Sequence, residues 1–169
     1  ENIDIEKNFI SLFTAINKMA EKYDMPILYS CHPRSRNRLV ASGFKLDSRV
    51  QVQQPLGFHD YNWLQMNAFA VVSDSGTLPE ESSFYASIGK PISAVCIRTS
   101  TERPEAIDKA CFILSGIDTK GLLQSVDLAV QMTKDGNHGI PVPSYTDDVS
   151  NKVVKIIQSY VGVVNKMVW

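Results

Sequence analysis

The stretch FAVVSDSGTLPEESSFYASIGKPISAVC, residues 69–96, decides the fold of this chain. It begins with an apolar run at 69–73, continues through a helix-like segment at 77–88, and ends in a second apolar run at 92–96. Short apolar strands that alternate with helices of ten or more residues are typical of βαβ units, whose strands run parallel. The small polar residues Asp-Ser-Gly at 74–76 therefore follow the carboxyl end of a predicted strand.

The same alternation continues on both sides of this stretch. Apolar side chains recur at helical spacing near both ends of the chain, and short apolar runs separate the segments between them. We therefore expect one α/β domain with a Rossmann-like parallel sheet and helices on both faces. The further predicted elements are helices at 4–23, 34–41, 59–67, 118–133 and 147–167, and strands at 26–30, 49–52 and 111–114.

Composition narrows the class of protein. The chain has 169 residues, and its 17 basic and 18 acidic residues give a net charge of -1, which argues against a nucleic-acid-binding protein. No apolar run approaches the roughly 20 residues that span a bilayer, and the first residues do not resemble a signal peptide. We expect a cytoplasmic protein without membrane segments, and its lack of an initiator Met suggests a piece of something longer.

The cysteines and histidines predict no metal site. Cys31, Cys96 and Cys111 are odd in number, widely spaced and mostly in apolar surroundings, so we expect reduced, buried thiols. No metal-ligand spacing occurs in the sequence. We therefore expect no metal site.

The segment from Ser75 to Glu81 is the first candidate site. Ser75, Gly76 and Thr77 precede a helix, where unpaired backbone N–H groups and the helix dipole favour a phosphate. Thr77 and Glu80 fit a capping box, which leaves Glu81 to accept hydrogen bonds from hydroxyls near the phosphate, such as a ribose diol. A tight turn with an ordinary helix cap explains the same residues equally well.

Three further groups contain candidate residues, two of them after predicted strands and one on the predicted helix at 59–67. Arg103, in the charged segment 98–105, can neutralise a phosphate through a bidentate contact, although such segments are usually surface turns. His32 can donate to a phosphate oxygen or hold a leaving group, although a lone histidine is more often structural. Tyr61 and Trp63 can stack on a base or pack in the core.

Taken together, these motifs resemble a known family. The runs SDSGTLPEESSFYASIGKP and TSTERPEA, with HPRSR upstream, are similar to the carboxyl-terminal domain of the non-hydrolysing UDP-N-acetylglucosamine 2-epimerases. The resemblance covers almost the whole chain. The run LQMNAFAVVSDSGTLPEESS is most similar to the branch that forms UDP-N-acetyl-L-fucosamine for surface polysaccharides.

The resemblance implies a glycosyltransferase-B fold in which a nucleotide sugar binds between two Rossmann-like halves. Residues 1–169 would be a single carboxyl-terminal UDP-binding domain, and the helix at 147–167 would cross to an amino-terminal domain that this chain lacks. By motif match, the resemblance implies that Ser75 and Gly76 contact the diphosphate and that Arg103 contacts the phosphates. It implies that Glu81 contacts the ribose hydroxyls and that Tyr61 borders the uracil. His32, the candidate catalytic residue, would lie beside the diphosphate leaving group.

The family reaction removes the proton at C2, expels UDP to leave a glycal, and adds UDP back with inversion at C2. The resemblance implies that neither a metal nor an organic cofactor takes part. The acids and bases attributed to this chemistry lie mostly in the other domain, so we expect this chain to bind UDP or a UDP-N-acetylhexosamine but to be inactive alone. Two alternatives stay open: a UDP-sugar glycosyltransferase domain, and a non-catalytic module that binds nucleotide sugars.

The last predicted helix has apolar residues on more than one face. Few charges interrupt the run from 153 to 169, so without the other domain part of the helix would be exposed to water. We therefore expect a homo-oligomer that associates through residues 153–169, or fraying of this segment. The alternative is that the helix folds back onto its own domain.

Overall fold

A computed structural model describes residues 5–167, with the side chains at 146 and 165–167 left out. The predicted α/β fold is confirmed. The strands are β1 (Ile27–Ser30), β2 (Val50–Gln53), β3 (Val71–Ser73), β4 (Ala94–Cys96) and β5 (Ile113–Leu114). The helices are α1 (Glu6–Tyr23), α2 (Pro33–Ser42), α3 (Phe58–Asn67), α4 (Leu78–Ser87), α5 (Pro104–Asp108), α6 (Thr119–Lys134), α7 (Pro143–Thr146) and α8 (Val149–Met167).

Every element predicted from the sequence is present, with its ends shifted by two residues or fewer where they are described. Residue 4, where the first predicted helix begins, lies outside the described residues. Two short helices, α5 and α7, were not predicted because four or five residues are too few to show a helical period. Gly43 ends α2 in the left-handed conformation, with φ 64°, as expected for a glycine stop.

The strands form two parallel groups. β1 pairs with β2 in one group, and the other has the order β3-β4-β5. A single sheet was predicted, but within the described residues no ladder joins the two groups. They are joined through packing, because Ile27 and Val52 of the first group and Val72 and Ile113 of the second contact the same core around α1.

The side chains of β4 show why helices cover both faces of the three-stranded group. Val95 is fully buried in the core formed with α1 and α6. Its neighbours Ala94 and Cys96 lie in a second core, formed with α4, α5 and the segment before α7. This alternation is the period of two expected for a strand buried on both faces, and it confirms the predicted layers.

The three cysteines are buried and free, as predicted. Burial raises the pKa of both the Cys96 and the Cys111 thiol, so both are held in the neutral form. Within residues 5–167, no group of three or more His, Cys, Asp or Glu side chains could hold a metal ion. In the same range, no helix has the length and apolar character needed to cross a membrane.

Helix α8 stands apart from both cores. Every described side chain from Val149 to Val164 is exposed, and none of them belongs to either core. The alternative in which the helix folds back onto its own domain is therefore wrong. The side chain of Met167, the last residue of the predicted apolar stripe, lies outside the described residues. The large exposed apolar residues of α8 are Val149, Val153, Val154, Ile156, Ile157, Tyr160, Val161, Val163 and Val164.

Candidate functional site

The carboxyl end of β3 continues into α4 through a turn held by its own hydroxyl groups. The backbone N–H of Ser75 donates to Ser73 Oγ at 3.0 Å, and the N–H of Thr77 donates to Ser75 Oγ at 3.2 Å. The hydroxyls of Ser75 and Thr77 are 2.8 Å apart. Within the described part of the chain the N–H of Gly76 makes no hydrogen bond, so this donor is available to an anion.

The predicted capping box is wrong. Thr77 adopts the right-handed helical conformation (φ -88°, ψ -14°) and makes no side-chain cap, whereas a capping residue needs extended backbone. Its Oγ1 instead donates to Glu81 Oε1 at 2.7 Å. Glu80 does not return to the turn, because its carboxylate accepts from Arg103 Nε at 2.7 Å. The two acids therefore have different partners, but Glu80 serves an ion pair and not a cap.

One guanidinium group lies beside this turn, and a second pairs with a carboxylate in the first turn of α4. A methyl group placed on Gly76 would stand 3.6 Å from Arg98 Nη1, so Arg98 reaches the turn directly. Arg98 also makes a bidentate pair with Glu102, with both distances 2.8 Å. The Arg98 guanidinium holds the pKa of Glu102 below its usual value, so this carboxylate stays ionised. Arg103 is about 39% exposed, and its pKa is raised by the hydrogen bond to Glu80.

Glu81 is held by neutral donors. Gln65 Nε2 donates to its second oxygen, Oε2, at 2.6 Å, and Thr77 occupies the first. The half-buried Tyr61 lies near this carboxylate, since burial and then the charge of Glu81 raise the pKa of its phenol. The structure thus brings Tyr61, Thr77 and Glu81 together. Trp63, for which core packing was an alternative, is 62% exposed and lies outside both cores.

His32 lies two residues after the end of β1 and is the N-cap residue of α2. Its Nδ1 accepts from the backbone N–H of Arg34 at 3.3 Å, so the ring caps the helix. In the neutral ring the proton is then on Nε2, which remains a donor. A cleft of about 330 Å³ adjoins this position. It is lined by Cys31, Pro33, Arg36, Asn37, Gln54 and Pro55.

The carboxyl ends of β1 and β3 lie near enough for a charge on one to affect a side chain on the other. The pKa of Tyr29, on β1, is raised mainly by burial and the neighbouring Cys31, and also by the charge of Asp74 at the end of β3. No hydrogen bond within the described residues joins His32 to the turn at 75–77. His32 and the turn thus follow the carboxyl ends of β1 and β3, without a hydrogen bond between them among the described residues.

A larger depression of about 570 Å³ lies elsewhere, between Phe69 and α6. Phe69 precedes β3, so this depression is at the amino end of that strand. In open parallel sheets ligands bind at the carboxyl ends of the strands, which is the edge that holds Ser75 and His32. We therefore place the candidate site at the turn and not in the larger depression.

Two residues of the site were not identified from the sequence. Arg98 belongs to the charged segment 98–105 and follows β4 almost directly, so its place at the strand end was a usable signal. Gln65 gave no signal, because a lone amide on a short helix is usually exposed. It is in fact only 3% exposed.

The fold and the polar edge of its strands define a Rossmann-like α/β domain of the glycosyltransferase-B type. The family model described as UDP-N-acetylglucosamine 2-epimerase matches residues 1–158. This chain therefore belongs to the UDP-N-acetylglucosamine 2-epimerase family.

Individual relatives agree with this assignment. The UDP-N-acetylglucosamine 2-epimerase of Methanococcus maripaludis is 31% identical over 150 residues, which cover 82% of this chain and 40% of that protein. The solved structure of the enzyme from Rickettsia bellii is 31% identical with a TM-score of 0.81, over 98% of this chain and 44% of the other. The Methanocaldococcus jannaschii epimerase in complex with UDP-GlcNAc and UDP is 24% identical with a TM-score of 0.76, over 94% and 42%. The chain thus spans less than half the length of these relatives.

Proposed function

We propose that this chain is the UDP-binding, carboxyl-terminal half of a UDP-N-acetylhexosamine 2-epimerase. The observation that carries the proposal is the turn at 75–77, which lies beside Arg98 and next to the Glu81 carboxylate, held in place by neutral donors. A second guanidinium group, that of Arg103, is held in the next turn of chain by Glu80. An anion and a neighbouring diol are the ligands that such a set of groups recognises. Family membership and the nucleotide complex of the Methanocaldococcus jannaschii relative point to the same ligand class.

In the proposed complex the diphosphate lies over Ser75, Gly76 and Thr77. The N–H of Gly76 and the positive end of α4 face the phosphate oxygens, and Arg103 and Arg98 neutralise their charge. Both arginines are already paired with carboxylates, so the phosphate must compete with Glu80 and Glu102 for them. The pair with Glu102 holds Arg98 beside the turn, and the pair with Glu80 holds Arg103 at the first turn of α4, before the ligand arrives.

The remaining candidate residues contact the ribose, the uracil and the departing diphosphate. Glu81 accepts from the ribose hydroxyls, and Tyr61 borders the uracil ring. His32, whose Nε2 is a donor, would stabilise negative charge on the departing diphosphate.

In the proposed reaction the C2 proton is removed, UDP leaves with the electrons of its C1–O bond to give a glycal, and UDP adds back after reprotonation of C2 from the opposite face. The acid and base for C2 are assigned to the other half of the protein.

The sugar specificity belongs to the same proposal. The run LQMNAFAVVSDSGTLPEESS favours the branch that forms UDP-N-acetyl-L-fucosamine. A glycosyltransferase of the same architecture is the alternative, and a product assay on the whole protein separates them, because a transferase requires an acceptor and an epimerase does not. A module that only binds nucleotide sugars would give no product in either assay.

UDP binding by this chain is the direct test, measured by titration calorimetry on matched variants. Arg103→Ala and Glu80→Gln both remove the ion pair between these residues, so they share any loss of stability that follows from it. Arg103→Ala should weaken UDP binding by about tenfold or more, because a charge-assisted contact with the phosphate is lost. Glu80→Gln should leave the affinity equal or slightly higher, since the competing carboxylate is gone.

The comparison between the two variants decides the assignment. If Arg103→Ala binds UDP as well as the parent chain, the diphosphate site is misplaced. Equal losses in both variants would mean that the ion pair supports the fold of the site and that Arg103 does not contact the phosphate.

A further inference from the structure

Glu81 receives one hydrogen bond on each carboxylate oxygen. Thr77 donates to Oε1 at 2.7 Å and Gln65 to Oε2 at 2.6 Å. A carboxylate offers about four lone-pair directions, so roughly two remain, one on each oxygen. Two adjacent hydroxyls are the donor pair that fits this remaining geometry.

Gln65 is buried, and a hydrogen bond on the side away from Glu81 fixes the orientation of its amide. Only 3% of the residue is exposed, and its Oε1 accepts from the hydroxyl of Tyr85 at 2.9 Å. Because the ionised Glu81 carboxylate can only accept, the amide nitrogen must face Glu81, and the amide oxygen then faces the hydroxyl of Tyr85. The pKa of Tyr85 is raised by burial and then by the charge of Glu81, so the phenol keeps its proton.

The network is anchored beyond Tyr85. The same hydroxyl donates to Asn62 Oδ1, and Asn62 Nδ2 donates to the carbonyl of Phe58 at 2.6 Å. A tyrosine hydroxyl has one proton, so the two amide oxygens share it. The chain of contacts runs from the backbone of α3 through Asn62, Tyr85 and Gln65 to Glu81.

Burying this set of polar groups has a cost that an apolar side chain would avoid. An amide moved from water to the interior is tolerated when its hydrogen bonds are made, and a methionine of similar shape would fill the same space without that requirement. The stability of α3 and α4 therefore does not require a glutamine at 65. Its specific effect is to direct a donor at one oxygen of Glu81.

We propose that Gln65 is a positioning residue that holds the Glu81 carboxylate for recognition of a ribose diol. The inference rests on the proposed function, because it takes the ligand to be a ribonucleoside diphosphate. Gln65 does not touch the ligand and acts through Glu81. It should therefore affect discrimination between ribose and deoxyribose more than binding as such.

The test is the ratio of the affinities for UDP and 2′-deoxy-UDP, measured by calorimetry on the folded chain. The parent chain should prefer UDP by about tenfold or more, as expected for a hydrogen bond to a charged group. Glu81→Ala should abolish this preference. Gln65→Met should reduce it to less than about threefold while the affinity for 2′-deoxy-UDP stays unchanged. The matched control is Gln131→Met on the exposed surface of α6, which should leave the ratio as in the parent chain.

Different outcomes separate the inference from the proposed function. If the parent chain does not bind UDP, or if Glu81→Ala keeps the preference for UDP, the proposed role of Glu81 fails and the inference fails with it. If Glu81→Ala loses the preference but Gln65→Met keeps it, only the inference is overturned. A parallel loss of affinity for both nucleotides in Gln65→Met would assign Gln65 a merely structural role.

A second variant covers the case in which Gln65→Met does not fold. Tyr85→Phe keeps the ring in the core and removes the donor that orients the Gln65 amide. It should lower the preference for UDP by at least severalfold without changing the affinity for 2′-deoxy-UDP. An unchanged ratio in folded Tyr85→Phe overturns the inference.

Discussion

Gly76 lies where the turn after β3 comes closest to a guanidinium group. Its backbone does not need the left-handed conformation, and a methyl group there would stand 3.6 Å from Arg98 Nη1 and 4.0 Å from Glu102 Oε2. These are ordinary contact distances, so an alanine fits the unliganded site. The methyl group would nevertheless occupy the space between the turn and Arg98, where we place a phosphate oxygen.

We therefore expect Gly76→Ala to fold normally and to bind UDP about tenfold more weakly, through loss of a charged hydrogen bond. Thermal unfolding and calorimetry on the same preparation measure both effects. Gly121→Ala is the control, because a methyl group at Gly121 meets its neighbours at a similar 3.5–3.6 Å but lies on α6. Unchanged UDP affinity in Gly76→Ala would mean that the phosphate does not approach this residue.

The hydroxyl groups of the same turn explain the error in the sequence-based prediction. Thr77, Leu78, Pro79 and Glu80 have the residue types of a capping box, but the pattern takes no account of Ser75. The Ser75 hydroxyl already accepts from the N–H of Thr77, and the Thr77 hydroxyl donates to Glu81. Local patterns could not predict this arrangement, because Glu80 is drawn away by Arg103, which is 23 residues distant.

Among the helices, the long ones could be predicted from the sequence and the shortest ones could not. The apolar periodicity of α1 and α6 spans several turns, and each helix buries one apolar face. In contrast, α5 has a single buried side chain, Ala106, which gives no period to detect. The position of Gln65 depends on how α3 packs against α4, so no local pattern could have identified it.

The loop after α6 is fixed to the rest of the domain at Gly139. This residue has φ +89°, and a methyl group on it would lie 2.4 Å from the carbonyl oxygen of Ala110. That oxygen belongs to backbone held in place, since the N–H of Ile140 donates to the carbonyl of Lys109 at 2.8 Å. Neither the conformation nor the space at Gly139 accepts a side chain.

We expect Gly139→Ala to lower the free energy of unfolding by more than about 3 kcal/mol. Gly136→Ala is the matched control in the same loop, with φ +77° but no atom within 4 Å of the added methyl group. It should cost only the conformational term, about 1–2 kcal/mol. Urea unfolding of both variants is the measurement, and equal losses would show that the close contact at Gly139 relaxes without cost.

At the scale of the whole molecule, α8 is the part that the domain does not bury. Its exposed valines and isoleucines extend from Val149 to Val164 and touch neither core. An apolar surface of this kind usually has a partner. The resemblance assigns that partner to an amino-terminal domain, which stays a prediction.

For the chain as it stands, we expect α8 either to mediate self-association or to fray. Sedimentation at increasing concentration, beside a version truncated after Ser150, tests the first outcome, and the truncated version should remain monomeric. Ile157→Lys with Val161→Lys gives a second control, because it removes apolar surface but keeps the helix length. A monomeric chain at high concentration, with slow hydrogen exchange from Asn151 onward, would contradict both outcomes.

The side chains of Ala94, Val95 and Cys96 alternate between two cores, and this alternation limits which insertions and deletions β4 tolerates. Gain or loss of a single codon within β4 would turn every following side chain of the strand to the opposite face, so that Val95 and Cys96 would exchange cores. We therefore expect the insertion of even a single alanine within β4 to prevent folding. Substitution of a β4 residue by one of similar volume should be tolerated.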